Sequence, residues 1–390
     1  MRVVLLALVL AATAGVALSA LSARAPRSAP PARAVEAPDR AAVDAAVRRG
    51  VAHLVASQQR SGSWGSPASN LWDIYAPVPG AFYTFEVAVT GLAVSALLEV
   101  GDEVEGAPAA AERGLSWLLA NHRKARRNSP DVLYNVWAHA YALEAFARAL
   151  DHETDDTRRA VLRKACDECI DYLGRFEFVD GGWGYYNFDI VAQRPEHGAT
   201  SFTTASVLLA LHRAAQHGVA VPRKLVDRGL ALVDMTRKPD WNFAYSWDHR
   251  YYPQGGINKT GGSLARAPAC IGAMARWGRA VPTSAPVGAL ERLEQHGHLL
   301  LIARKYPYPH ESWFQNSGYF TFYGYYYATE LFDLVPPDAR RRAAASIVAD
   351  LLPLQEPDGS WWDYQLYSYH KPYGTAFVLL SLLRCRDLRP

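Results

Sequence analysis

Little in this chain alternates apolar and polar residues over the length of a strand, so a sheet-based fold finds no support in its 390 residues. Charge of one sign is missing as well. With 41 basic and 38 acidic residues the net charge is +3, and the basic residues are spread along the chain, which argues against a nucleic-acid partner. Four cysteines are too few for a disulfide scaffold in a chain of this size. Cys166 and Cys169 sit one helical turn apart, Cys270 and Cys385 lie far away, and no further ligands follow at zinc spacing. Buried or free thiols are the reading, with no metal and no other cofactor expected.

What is present is apolar. Half of the residues are hydrophobic, enough to fill a large core in one big domain or two ordinary ones. At the N-terminus a single basic residue precedes an unbroken apolar stretch from Val3 to about Ala20, and small residues follow it. Residues 1–25 therefore read as a signal peptide, with an N-terminal anchor helix as the alternative. An exported protein, in the periplasm or at the cell surface, is expected, and membrane association would run through this segment. Residues 26–40 are rich in Pro and Ala and read as a flexible linker.

The remainder, residues 41–386, repeats. "ASQQRSGSWGS" and "LPLQEPDGSWWDY" place Gln58, Gly62 and Trp64 in register with Gln355, Gly359 and Trp361. Similar helix starts at Gly114, Cys169, Gly229 and Gly288 complete a ladder from Gly50 to Ile347, with steps of 64, 55, 60, 59 and 59 residues. Each unit carries a second and more apolar helix pattern, beginning at Phe85, Tyr134, Ser201, Gly261, Ser317 and His370. Alternating amphipathic and apolar helices predict an all-α fold with an inner ring of six helices inside an outer ring of six. The first and last units keep the motif best, where an open stack would need polar caps, so a closed ring is expected over an open solenoid.

Residues 41–386 resemble the repeated Gln-Trp motif proteins of the squalene-hopene cyclase family, on the strength of "RGVAHLVASQQRSGSWG" and "IVADLLPLQEPDGSWW". The resemblance implies an (α/α)6 toroid, the ring shared with protein prenyltransferase β-subunits, and an isoprenoid or other hydrophobic ligand. Gln58, Trp64, Gln355 and Trp361 are framework residues in this reading, not chemistry. The family's acid, an Asp-x-Asp-Asp-Thr-Ala motif, is lost: aligned on Thr204-Ala205, its three acids fall on Thr200, Phe202 and Thr203. "ETDDT" from Glu153 reads as a helix cap instead. The prenyltransferase zinc site is lost too, since only His370 matches, and Asp167-Glu168-Cys169 belongs to an outer helix. The Cys-Gly-Glu-Gln signature of the exported thioester proteins that use the same ring is absent.

The loops that join each outer helix to its inner partner should emerge at one end of the ring. They hold a dense aromatic and polar set that forms the candidate ligand site: Trp183, Tyr185, Tyr186, Asp189, Trp247, Asp248, His249, Asn258, Trp313, Trp362 and Tyr369. Arg266, Tyr319 and Tyr323 join it from the starts of the fourth and fifth inner helices. Arg266 would pair with Asp248 or neutralise an anionic ligand. Aromatic walls suit an isoprenoid chain, with ring faces against any carbocation, and equally a stacked sugar. His310, Glu311, Asp363 and His370 are the candidate acid–base residues if the ligand is a glycan. His139, on an otherwise apolar helix, reads as a satisfied core histidine. Three function classes stay open: a divergent isoprenoid or cyclase-like enzyme, an isomerase or lyase; a carbohydrate-active α/α-barrel enzyme; and a non-catalytic binding or scaffold protein.

Overall fold

The structure, a computed structural model, describes residues 39–68, 81–127, 129, 131–187, 194–308, 310–311 and 313–386. The expected leader, and the linker up to residue 38, lie outside the described residues. Among the described residues there is no strand, only isolated bridges between loops.

Six helix pairs follow one another. They are α1 (Arg40–Ser57) with α2 (Ala81–Val100), α3 (Ala107–Asn121) with α4 (Asn135–His152), and α5 (Asp156–Arg175) with α6 (Ser201–Gln216). Then α7 (Arg223–Thr236) precedes α8 (Thr260–Ser263) and α9 (Arg266–Arg276), α10 (Ser284–His296) and the short α11 (His298–Ala303) precede α12 (Phe320–Thr329), and α13 (Pro337–Leu351) precedes α14 (His370–Arg386). The first helix of each pair buries one face; on α7 it is Leu225, Val226, Gly229, Leu230, Leu232, Val233 and Thr236. The second is buried nearly all round, as α2 is from Thr84 to Leu97. This burial explains why α2, which is long and apolar enough to cross a membrane, is a core helix: 78% of that apolar window is inside the ring.

The inner helices pack in the order α2, α4, α6, α9, α12, α14, and α14 returns to α2, so the ring is closed as expected. The closure has a repeated wedge. Trp64 of the first unit lies against Gly114 of the second, Trp183 of the third against Gly229 of the fourth, and Trp361 of the last against Gly50 of the first. A Cβ on Gly50 would stand 2.9 Å from the Trp361 ring, so glycine is what lets the seam shut. Each indole N–H donates to a carbonyl ten residues back, at 2.7 Å for Leu54, 2.8 Å for Leu173 and 2.9 Å for Leu351. Gln58 Nε2 reaches the Ala110 carbonyl of the next outer helix at 2.9 Å, and Gln355 Nε2 reaches Ala46 at 2.9 Å. In the third unit Glu177 replaces the Gln and accepts from Arg228 Nε at 2.7 Å. Truncating one such Trp to Ala costs about 3–5 kcal/mol in a packed core.

Two features differ from the sequence reading. The fourth inner helix is interrupted at Leu264–Ala265, because Pro268 has no N–H to give the Leu264 carbonyl. Helix α11 follows Gly297 as an extra turn. The Asp155 cap is as expected, with its carboxylate accepting from Arg158 N at 2.8 Å. His139 turns from the lumen toward α5, stacking on Tyr172 at 4.3 Å and meeting the Ala125 carbonyl at 2.8 Å. Burial holds its pKa down at about 3, a neutral core histidine.

Candidate functional site

The inner helices run parallel, with their N-termini at the end where the long loops gather. There the lumen is filled by rings. Tyr134 at the N-cap of α4 and Trp137 and Tyr141 within it recur at helical spacing on one face, and Trp137 stacks on Tyr141 at 5.6 Å. Phe202 of α6 is the hub: its ring lies 6.1 Å from Trp137, 6.0 Å from Tyr185, 5.3 Å from Tyr245 and 4.9 Å from Phe320. Tyr323 of α12 donates to the Phe202 carbonyl at 3.1 Å and shares Ser206 Oγ at 3.0 Å. Phe377 of α14 closes the far wall, 5.8 Å from Tyr141 and 5.4 Å from Tyr326. Phe202, Tyr323, Tyr327 and Phe377 are buried, while Tyr134, Trp137, Tyr185, Tyr186 and Tyr319 keep part of their rings open at the mouth. Burial pushes the Tyr185, Tyr245 and Tyr323 phenols well above 10, so these hydroxyls are neutral.

The residues singled out from sequence divide between this mouth and other places. Tyr185, Tyr186, Tyr319 and Tyr323 belong to it; Tyr185 stacks with Tyr134 at 6.2 Å, and its hydroxyl meets that of Tyr245. His249 and His310 approach Tyr245 at 5.1 and 6.1 Å. Burial lowers both imidazoles from 6.5. Trp183 is a framework wedge, and Tyr369 is buried with its hydroxyl on the Phe82 carbonyl at 3.0 Å. Asn258 pins its own loop, donating to the His249 and Tyr252 carbonyls at 2.8 Å each. Arg266 does not pair with Asp248; it donates to the carbonyls of Phe243 at 2.9 Å, Gly262 at 2.6 Å and Ile257. Asp248 is half-buried at the rim beside His249. Trp247 carries the Arg250 guanidinium over its ring at 3.3 Å, and Trp362 carries Lys305 at 4.2 Å. Trp313 is 79% exposed on the rim. Asp189 lies outside the described residues.

Of the four candidate acid–base residues, none hydrogen-bonds another among the described residues. Glu311 accepts the backbone N–H groups of Trp313 at 2.7 Å, of Phe314, and of Asn316 at 3.4 Å, folding its own loop. His310 Nδ1 meets the Gln315 carbonyl at 2.9 Å, and His370 Nδ1 meets that of Tyr367. Asp363 is fully buried between α12 and α14, accepting from Phe322 N at 3.0 Å and from the Tyr373 hydroxyl at 2.6 Å. Burial pushes its pKa up to about 6, against those donors.

The opposite end of the lumen holds charge, and sequence reasoning missed it. Arg148 of α4 pairs with Glu99 of α2 at 2.5 Å and with Glu144 at 2.9 Å. Tyr326 of α12 reaches across the ring to Glu144 at 2.6 Å. Glu330 takes Arg276 of α9 at 3.3 Å and Arg384 of α14, while Arg213 of α6 stands 3.9 Å from Glu144. Burial alone would raise the Glu330 carboxyl, but Arg384, Arg213, Arg276 and Arg148 hold it down at about 2. The readable signal was Tyr134, Trp137, Tyr141, Glu144 and Arg148, five residues of one helical face.

No family model matches the chain, and no curated protein does. Solved structures do. The type II terpene cyclase MstE from Scytonema is 15% identical with a TM-score of 0.51, over 90% of this chain and 100% of that one. A variant of it is known in complex with its substrate, geranylgeranyl dihydroxybenzoate. A family 88 glycosyl hydrolase from Bacteroides vulgatus is 10% identical with a TM-score of 0.52, over 90% and 100% of the two chains. A possible GH105 family member from Klebsiella pneumoniae is 12% identical with a TM-score of 0.50, over 89% and 93%. At these identities the likeness is one of fold, and the fold is the α/α toroid.

Proposed function

We propose that the protein is exported and binds an apolar, isoprenoid-like ligand on the aromatic mouth of its ring, without the alkene-protonating chemistry of the cyclases it resembles. One observation carries this reading. Of the three positions, Thr200, Phe202 and Thr203, onto which the acids of those cyclases fall by the alignment on Thr204-Ala205, Phe202 is the hub on which Trp137, Tyr185, Tyr245, Phe320 and Tyr323 converge. Neutral rings at this point favour an apolar chain or a diffuse positive charge over an anion. The complex of the fold neighbour with a geranylgeranyl compound supports the ligand class.

The test is mass spectrometry of an organic extract of the purified protein, together with geranylgeraniol binding followed by tryptophan fluorescence. An apolar molecule that copurifies with the wild type and is lost in Trp137→Ala and Tyr185→Ala, both of which still fold, is the expected result. An empty extract together with no saturable geranylgeraniol binding would overturn the proposal.

A saccharide is the second reading, favoured by the rim, where Tyr251, Tyr252, Tyr308 and Trp313 are all exposed and could stack on sugar faces. Turnover of a glycan finds less support, because Glu311 and Asp363 spend their oxygens on their own surroundings.

A further inference from the structure

A groove of about 590 Å³ lies where the start of α8, the end of α10, the start of α11 and the loops before α8 and α12 meet. Lys238, Lys259, His296 and His298 line it, and no Asp or Glu does. Elsewhere most arginines of the fold are paired with carboxylates, at 2.8 Å for Arg158 with Glu112 and 2.7 Å for Arg228 with Glu177. Here the side chains of Lys259, His296 and His298 make no ion pair or hydrogen bond among the described residues, and Lys238 Nζ has only the Asn258 carbonyl, at 2.9 Å. The nearby carboxylate of Asp240 is committed to Asn242, through its N–H at 3.1 Å and its amide at 2.8 Å.

Asp240 is the nearby counter-charge: against burial, hydrogen bonds from Asn242 and the charges of Lys238 and Arg292 hold its carboxyl low, so the positive charge of the groove is only partly compensated. His296 registers it: burial lowers its pKa, and the charges of His298 and Arg292 lower it further. An anion in the groove would relieve that repulsion. The floor is apolar. Phe314 lies so close over Gly261 that a Cβ there would stand 2.7 Å from the ring, and Leu299 lies beside it. The groove is open to solvent along its length, so a ligand would lie in it with one side exposed.

We infer that this groove binds a small ligand bearing an oxyanion, a phosphate or a carboxylate, held by Lys238, Lys259 and His298 with its apolar part on Phe314. The groove shares no lining residue with the ring cluster around Phe202, and its occupancy does not depend on the reading given to that cluster.

The experiment titrates the full-length chain, labelled at its histidines, with inorganic phosphate and separately with acetate, at constant pH and ionic strength. The readout is the NMR shift of the His296 and His298 rings. Saturable shifts with either anion are expected, and which anion acts decides between a phosphate-bearing and a carboxylate-bearing ligand. Lys259 is exposed, so Lys259→Glu should fold normally and weaken binding by about tenfold or more, the equivalent of one charge-assisted hydrogen bond. Lys259→Gln should fall between. No saturable shift with either anion, or an unchanged binding constant in Lys259→Glu, would overturn the inference.

Discussion

At the loop end of the inner ring the lumen is filled by neutral rings; at the other end the same helices fill it with ions. On α4 the change falls between Tyr141 and Glu144, one helical turn apart. Above it, Phe202, Tyr323 and Phe377 interdigitate, and Asp363 is held behind Tyr373. Below it, α2, α4, α6, α9 and α14 and the end of α12 each contribute a charge. Both ends bury most of these side chains, and each keeps a partly exposed margin. They differ in how they respond to loss of one member, because a missing ring leaves a cavity whereas a missing ion leaves an uncompensated charge. The ligand proposed for the aromatic end would therefore meet rings that can repack, whereas the ionic end serves as a fixed plug.

The sharpest way to break this contrast is Arg148→Ala. Arg148 is 2% exposed and serves Glu99 and Glu144 at once, so its removal strands a buried carboxylate. The expected cost is about 3–5 kcal/mol of unfolding free energy, measured by urea denaturation. Replacing Glu144 and Arg148 together by Leu and Met should recover most of it, since a well-packed apolar pair is often neutral at such a site. A single variant that unfolds at the wild-type urea concentration would mean that the plug is no plug.

Acid and base should act on the two ends in opposite directions. Glu330 has its pKa lowered from 4.5 to about 2, so it stabilises the fold above 4.5 and that contribution is lost as pH falls toward 2. Asp363 has its pKa raised from 3.8 to about 6, so its contribution is present below 3.8 and is lost as pH rises through 6. Each shift corresponds to about 3 kcal/mol between the two limits. Stability measured against pH should therefore lose its acid limb in Glu330→Gln and its decline between 4 and 6 in Asp363→Asn. If both variants keep the wild-type profile, neither group is perturbed as described.

The ring was legible because its frame is written in glycines and tryptophans. Gln58, Gly62 and Trp64 repeat at Gln355, Gly359 and Trp361, and the geometry shows why: each indole must meet a glycine of the next outer helix. The third copy hid behind Glu177, which keeps the hydrogen-bonding role with a different group. Tyr185, Tyr186, Tyr319 and Tyr323 were legible as an aromatic set because loop position and helix start suffice to place them. Their partners Tyr134, Trp137 and Phe202 were not, since on an apolar helix a lumen-facing ring and a ring packed against the outer layer read alike. The ionic plug escaped for a related reason. Arginine near a helix C-terminus ordinarily reads as a solvated charge favoured by the dipole, and only a closed ring brings six such ends together. Asp363 and Glu311 were noticed for their chemistry, yet sequence carries no record of whether a carboxylate's oxygens are already taken by neighbouring N–H and O–H groups.

The smallest effect on stability, and the one that separates the mouth from its rim, belongs to Trp313. At 79% exposure it buries too little for its loss to matter, so Trp313→Ala should shift the unfolding free energy by no more than about 0.5 kcal/mol. Its ring lies outside the cluster around Phe202, so geranylgeraniol binding should be unchanged. Binding to a polysaccharide column, if the rim stacks sugars, should fall, because one good aromatic platform contributes about 1 kcal/mol. Retention that is unaltered on the column would remove the rim from consideration and leave the buried rings as the aromatic surface of interest. Loss of geranylgeraniol binding would show instead that rim and mouth act as one site.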